Sequence, residues 1–147
     1  MTTEARIGIR QIDGYRFMVE FGAAIPDLLV DEAAPIGEDA GPHPEQLLVA
    51  SVANCLCASL VFALGKYKQD AGGVQAEASC RVARNEDNRL RVEAIDVAIT
   101  LGASAEEMPR VDRAISQFQR FCTVSESVQA GVPVSVEVRD REGRPLT

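Results

Sequence analysis

Four cysteines occur in this chain of 147 residues, and two of them stand where a thiol is unusual unless it reacts. Cys55 lies inside GPHPEQLLVASVANCLCASLVFALGKYK, whose residues from Gln46 to Gly65 carry no formal charge. Cys122 lies in RFCTVSESVQAG, where one helical pattern stops and a second, short one starts. The chemistry open to such a pair is thiol redox chemistry. A thiol reacts as its thiolate, whose pKa falls at a helix N-terminus or beside positive charge and rises in apolar surroundings. Cys122 meets the first condition if it opens the last helix. Cys55, flanked by Asn54 and Leu56, gets no help from a helix end and needs an arginine or a polar network supplied from elsewhere. The alternative for Cys55 and Cys57 is that both are small core hydrophobes, since free cysteine is among the most buried residue types. Cys57 faces away from Cys55 on a helix and Cys80 sits on the apolar face of its strand, so both of these read as core.

A metal is the other use for cysteines. Cys55-x-Cys57 with the sole histidine, His43, lacks the two-residue spacing of a zinc site, and helix neighbours two apart point apart. His43, between Pro42 and Pro44, reads as a solvent-exposed loop residue. No dinucleotide fingerprint, phosphate-binding loop or nucleophile elbow occurs. Neither a metal nor a cofactor is expected.

The length is that of one domain, enough for a core without disulfide staples. A formal net charge of −7 and the absence of a Lys/Arg cluster argue against nucleic acid or an anionic membrane as partner. The start, MTTEARIGIRQIDGYRF, lacks the apolar core of an export signal. A cytoplasmic location is expected, where cysteines are free, catalytic or metal-bound rather than structural disulfides. The uncharged run from Gln46 to Gly65 is long enough to span a membrane. Ser51, Asn54 and Ser59 and several alanines favour a central core helix instead.

The elements that must position the two thiols follow from the patterning. Arg6–Arg10 and Tyr15–Phe21 alternate around the turn signal Asp13-Gly14 and predict a hairpin, with Leu28–Val30 a third short strand. DEAAPIGEDAGPHP reads as a polar loop. Pro44 suits the first turn of a helix, Glu45 favours its dipole, and the helix is expected to run to about Gln69, ended by Asp70-Ala71-Gly72-Gly73. Val74–Val82 alternate as a half-buried strand, and Asn85–Asn88 turn into the next one. That strand changes parity, which calls for a bulge near Ala94-Ile95 or for cover on both faces. One helix is expected from Ser104 or Pro109 to Phe121, with Val111, Ile115, Phe118 and Cys122 on a single stripe. A short helix from Cys122 to Ala130 and a strand over Val132, Val134, Val136 and Val138 complete the order β-β-(β)-α-β-β-α-α-β. The fold class is α+β, an antiparallel sheet wrapped against a long helix. The whole chain reads as one domain: a hairpin region over 1–40, a central helix over 44–69, and a hairpin, helices and final strand over 74–139.

From Gly41-Pro42-His43-Pro44-Glu45-Gln46-Leu47-Leu48 through Ala53-Asn54-Cys55, the chain resembles the OsmC/Ohr family of thiol-dependent peroxidases. The family's helix start is matched by Pro44-Glu45-Gln46-Leu47, its first cysteine by Cys55 ten residues after the glutamate, and its second by Cys122-Thr123-Val124-Ser125. Gly131-Val132-Pro133-Val134 is a strand start of the family's kind, and the likeness spans about residues 41 to 139. It implies a two-cysteine peroxidase in which Cys55 becomes a sulfenic acid and Cys122 resolves it to a disulfide. It further implies an external dithiol reductant (a lipoyl protein or small thiol), and organic hydroperoxides more often than hydrogen peroxide as substrate. The implied assembly is an intertwined homodimer with both long helices at its centre.

Ten residues of helix rise about 15 Å, so Glu45 does not reach Cys55 along a straight helix. If the family's glutamate orders the site, a bend or the partner subunit supplies it; otherwise Glu45 is a first-turn charge. The family's activating arginine has no recognisable motif here. Arg16, which follows the turn, is the candidate, with Arg10 and Arg16 as solvated strand residues the alternative. Thr123 stands in place of the family's proline. Two other functions fit the same features. One is a redox-sensing or small-molecule-binding dimer without turnover. The other is a thioesterase-like fold using Glu45.

Overall fold

The computed structural model describes residues 1–131 and 134–147, and the chain divides into two compact units, Met1–Leu47 and Leu48–Thr147. The expected β character of Val132 and the strand start at Val132-Pro133 lie outside the described residues.

In the first unit, β1 (Gly8–Asp13), β2 (Arg16–Glu20) and β3 (Leu28–Val30) form an antiparallel sheet in that order. The hairpin turn falls on Gly14-Tyr15, one residue later than its Asp-Gly signal, with Gly14 at φ 45°. A left-handed φ is what makes glycine the fitting residue there. The following loop was expected to be too polar for any core, yet Asp31 is buried. Its carboxylate accepts from the amides of Glu32 (2.8 Å), Glu38 (3.1 Å) and Ala40 (3.1 Å). Burial works against its charge, but these amides hold the carboxyl below its usual range.

The boundary between the units falls in the first turn of α1 (Pro44–Lys66). The helix stops three residues before the expected Gln69. Lys68 adopts φ 55°, the Gln69 amide donates to Leu64 O and the Lys68 amide to Gly65 O. That is a Schellman ending built on lysine rather than on the glycines downstream. Along the helix Val49, Val52, Leu56, Ser59, Leu60, Ala63 and Leu64 are buried, a stripe at helical spacing rather than burial all round. Among the described helices α1 alone is long and apolar enough to cross a membrane.

β4 (Val74–Arg84) and β5 (Leu90–Leu101) pair antiparallel, while β6 (Val134–Arg139) lies parallel to β5, with Ile95 opposite Val134. The sheet is therefore mixed, not antiparallel throughout. The connection between β5 and β6 crosses back over the sheet before re-entering, and such a crossover makes neighbours parallel. The parity change in β5 is a bulge: Arg81 faces Ala94 and Val82 faces Val92, leaving Glu93 unmatched. Ile95, Val97, Ile99 and Leu101 then all point inward, where they share a core with the buried stripe of α1. At the start of this sheet Gly102 approaches Gly72 so closely that a Cβ on Gly102 would lie 1.9 Å from the Gly72 carbonyl oxygen.

The single helix expected up to Phe121 is broken. A 3-10 turn (Ala105–Glu107), α2 (Val111–Ile115) and a second 3-10 turn (Phe118–Phe121) replace it. Pro109 has no N–H and disfavours helical geometry in Met108, which sits at φ −126°, ψ 71°. The Ser116 hydroxyl then donates to the Arg113 carbonyl at the end of α2. The stripe survives the break, with Val111, Ala114, Phe118 and Cys122 buried. Ile115 is only half-buried. α3 (Thr123–Gln129) follows with Cys122 as its N-cap.

Candidate active site

Cys55 occupies the middle of α1, one residue before the buried Leu56, and is itself half-buried. Cys122 is fully buried and joins the core beside Phe118. The segments carrying them are distant in sequence, yet the Cys55 side chain neighbours the Cys122 thiol closely enough to push its pKa up. A neighbouring contact helps hold α1 against the second 3-10 turn. Phe62 of α1 meets Phe121 edge to face at 6.2 Å between ring centroids. The Lys66 ammonium lies 5.7 Å and 4.9 Å from the same two rings.

Cys122 does open the last helix, as its sequence position predicted, and its sulfur accepts from the Ser125 amide at 3.4 Å. The expected fall in its pKa does not follow. Burial pushes the thiol up and the adjacent Cys55 pushes the same way, outweighing the Ser125 hydroxyl and amide. The desolvation cost of a buried thiolate exceeds what one short helix end and its amides return. Cys57, half-buried and turned from Cys55, is likewise raised by burial. Cys80 is half-buried on the inner face of β4, opposite Ile95, and packs on the core.

Glu45 and Arg16 belong to the first unit, Cys55 and Cys122 to the second. Glu45 sits in the first turn of α1, where its own amide foremost, and then the His43 ring, hold its carboxyl below the usual range against partial burial. His43 is thus a half-buried partner of Glu45, with Nδ1 2.9 Å from Oε2, rather than a free loop residue. Gln46 reaches back to accept from the His43 amide (3.1 Å), the return half of a capping box. Arg16, at the start of β2, donates two hydrogen bonds to Asp13, one of them 2.6 Å, and approaches Glu38 at 3.6 Å. Arg10 pairs with Glu20. The residue that sequence reasoning missed is Ser125, whose side chain is buried beside the Cys122 sulfur. Its sequence signals are its place three residues after the N-cap and its position in the run Cys122-Thr123-Val124-Ser125, neither of which assigned it a role. Among the described residues no group of three or more His, Cys, Asp or Glu side chains is placed to hold a metal ion.

Two neighbouring thiols, one half-open and one closed, can form a disulfide when a two-electron oxidant such as a peroxide takes their electrons. The fold has solved relatives. An OsmC-like protein from Vibrio cholerae superposes with a TM-score of 0.78 at 14% identity, covering 93% of this chain and 99% of that one. An organic hydroperoxide resistance protein from Elizabethkingia anophelis gives a TM-score of 0.72 at 20% identity, covering 95% and 99%. The organic hydroperoxide resistance protein OhrB of Bacillus subtilis gives 0.70 at 18%, covering 93% and 98%. At these identities the likeness is one of fold. No curated protein sequence matches the chain. Residues 37–137 match the OsmC-like protein family, and the chain belongs to that family.

Proposed function

We propose that this protein is a thiol-dependent peroxidase acting on organic hydroperoxides, with Cys55 as the peroxidatic and Cys122 as the resolving residue. The observation that carries the reading is the proximity of the two thiols across separate elements. The Cys55 thiolate attacks the terminal oxygen of the hydroperoxide. The O–O bond breaks, the alkoxide leaves and takes a proton, and Cys55 becomes a sulfenic acid. The Cys122 thiolate then attacks the Cys55 sulfur, and hydroxide departs as water. An external dithiol, of the lipoyl or small-thiol class, reduces the resulting disulfide by exchange.

Glu45 is assigned to ordering the site and Arg16 to supplying positive charge beside Cys55, and the working unit is a homodimer. The dimer assignment is supported by the open face of α1, where Ala50, Asn54, Ala58, Val61 and Phe62 are exposed. Exposed Ile7 and Ile9 on the first unit, and Val82 and Leu90 on the β4–β5 hairpin, add further apolar surface for a second copy. A cytoplasmic location is part of the same reading.

The test is consumption of cumene hydroperoxide coupled to a dithiol, with wild type, Cys55→Ser and Cys122→Ser. Turnover in wild type that is lost in Cys55→Ser upholds the reading, and turnover that survives Cys55→Ser overturns it. The second reading is a redox sensor without turnover. It is favoured by one observation, the engagement of the Arg16 guanidinium with Asp13 and Glu38. A Cys55–Cys122 disulfide that forms once without catalytic consumption of peroxide selects it.

A further inference from the structure

Ser125 has no part in the scheme above. Its side chain is fully buried, and among the described residues its hydroxyl is the buried side-chain oxygen left without a hydrogen bond of normal geometry. Such a group carries a free-energy cost, and an orphan beside a redox-active atom calls for a reason. The hydroxyl lies against the Cys122 sulfur, which already accepts from the Ser125 amide at 3.4 Å.

Access to the disulfide is asymmetric. Cys122 is 0% exposed, whereas Cys55 is half-buried. In this structure Cys122 is closed to an external thiol, and Cys55 is the sulfur of the pair open to one. Thiol–disulfide exchange is governed by which sulfur is reached and by how readily the other leaves as thiolate. A thiolate at Cys122 is generated in a buried place, where it is a poor leaving group unless donors meet it.

Resting on the peroxidase reading, we propose that Ser125 serves the reductive half of the cycle: the dithiol attacks the Cys55 sulfur, and Cys122 departs as a thiolate received by the Ser125 hydroxyl and amide. In the first exchange the reductant's thiolate forms an S–S bond to Cys55. The Cys55–Cys122 bond breaks, and its electron pair goes to Cys122. The reductant's second thiol then closes its own disulfide and releases Cys55. The dithiol loses two electrons and two protons, and the protein disulfide gains both. In the resting dithiol state Cys122 carries its own proton, and the Ser125 hydroxyl has nothing to stabilise. Its missing partner in the reduced protein is the expected signature of a donor used at another stage.

The experiment uses protein oxidised with diamide, an azo oxidant that needs no peroxidase chemistry, and dithiothreitol as the reductant. Reduction of the Cys55–Cys122 disulfide is expected to be about three- to tenfold slower in Ser125→Ala, the effect of removing one donor from a leaving thiolate. Ser125→Thr, which keeps the hydroxyl, is expected to recover most of that loss. In a Cys55→Ser background the ultraviolet titration of the Cys122 thiolate is expected to move to higher pH on adding Ser125→Ala, which a packing defect alone does not produce. A second measurement needs only the wild type. Oxidised protein is mixed briefly with 2-mercaptoethanol, quenched in acid, alkylated and mapped, and the mixed disulfide is expected on Cys55 with Cys122 free. A mixed disulfide on Cys122, equal reduction rates for wild type and Ser125→Ala, or failure of diamide to link the pair each overturns the proposal. Expected results here combined with no hydroperoxide consumption leave the Ser125 assignment standing and remove only the peroxidase reading.

Discussion

The Cys55 thiol, from the middle of α1, neighbours the Cys122 thiol at the N-cap of α3 closely enough to push its pKa up. The two sit in different environments. Cys55 is partly open to the outside, whereas Cys122 is sealed into a core shared with Phe118 and Leu56. A half-open sulfur can meet a substrate, and a closed one can act only on its neighbour. The proposed division of labour, with Cys55 attacking and Cys122 resolving, accords with that difference in burial.

In the proposed mechanism the raised pKa of Cys122 sets the pH dependence of resolution. Burial first, and Cys55 second, lift the thiol above its usual range. At neutral pH little of it is thiolate. Disulfide formation after one equivalent of hydroperoxide, followed by rapid mixing and acid quench, is expected to speed up by roughly tenfold per pH unit below that pKa, since the thiolate is the nucleophile. A profile flat from neutral to alkaline pH contradicts this.

The C-terminal segment is fastened by charges that acid removes. Arg144 donates to both carboxylate oxygens of Glu106 (2.7 and 2.6 Å) and to the buried Asp140 (2.9 Å). Asp140 also accepts from the amides of Ala105, Glu142 and Arg144. The Arg144 guanidinium lowers Glu106 from 4.5 to about 2. For Asp140 burial opposes the charge, but the Arg144 and Ala105 amides and the guanidinium still bring the carboxyl below its usual range. Groups depressed in the folded state bind more protons when unfolded, so their contribution is complete above about pH 4.5 and is lost as pH falls towards about 2. Denaturant midpoints measured across that window are expected to fall less steeply with acid in Arg144→Leu than in wild type.

Lys68 holds a left-handed φ of 55° at the end of α1. Glycine occupies that conformation without the Cβ penalty. Lys68→Gly is expected to stabilise the protein by about 0.5–1 kcal/mol, read as a higher denaturant midpoint at unchanged slope. A lower midpoint contradicts the Schellman ending.

The sequence made the two thiols legible, because each stood in a local pattern: Cys55 in an uncharged helical run, Cys122 where one helical stripe gave way to another. Element order was legible for the same reason, since hydrophobic period and turn residues are local. What escaped depends on partners far along the chain. Asp140 is stable in the interior only because Arg144 and the Ala105 amide reach it, the latter from 35 positions away. Asp31 needs the amides of Glu38 and Ala40 to fold back over it. The parallel placement of β6 is set by a crossover, not by alternation within the strand. The start after Met108-Pro109 was marked by the proline, but the stripe from Val111 to Cys122 masked the break between α2 and the second 3-10 turn. The elevated pKa of Cys122 could not be read from its helix-opening position, because burial outweighs a short helix end.

Intact mass and free-thiol count after one equivalent of cumene hydroperoxide, on wild type and on Cys122→Ser, test the central claim most directly. The account predicts that wild type loses a pair of hydrogen atoms and two free thiols, mapped to Cys55 and Cys122. It predicts that Cys122→Ser gains one oxygen at Cys55, trapped by dimedone as a sulfenic acid. All four cysteines remaining free and unmodified, or oxidation falling on Cys57 or Cys80 in place of Cys55, contradicts it.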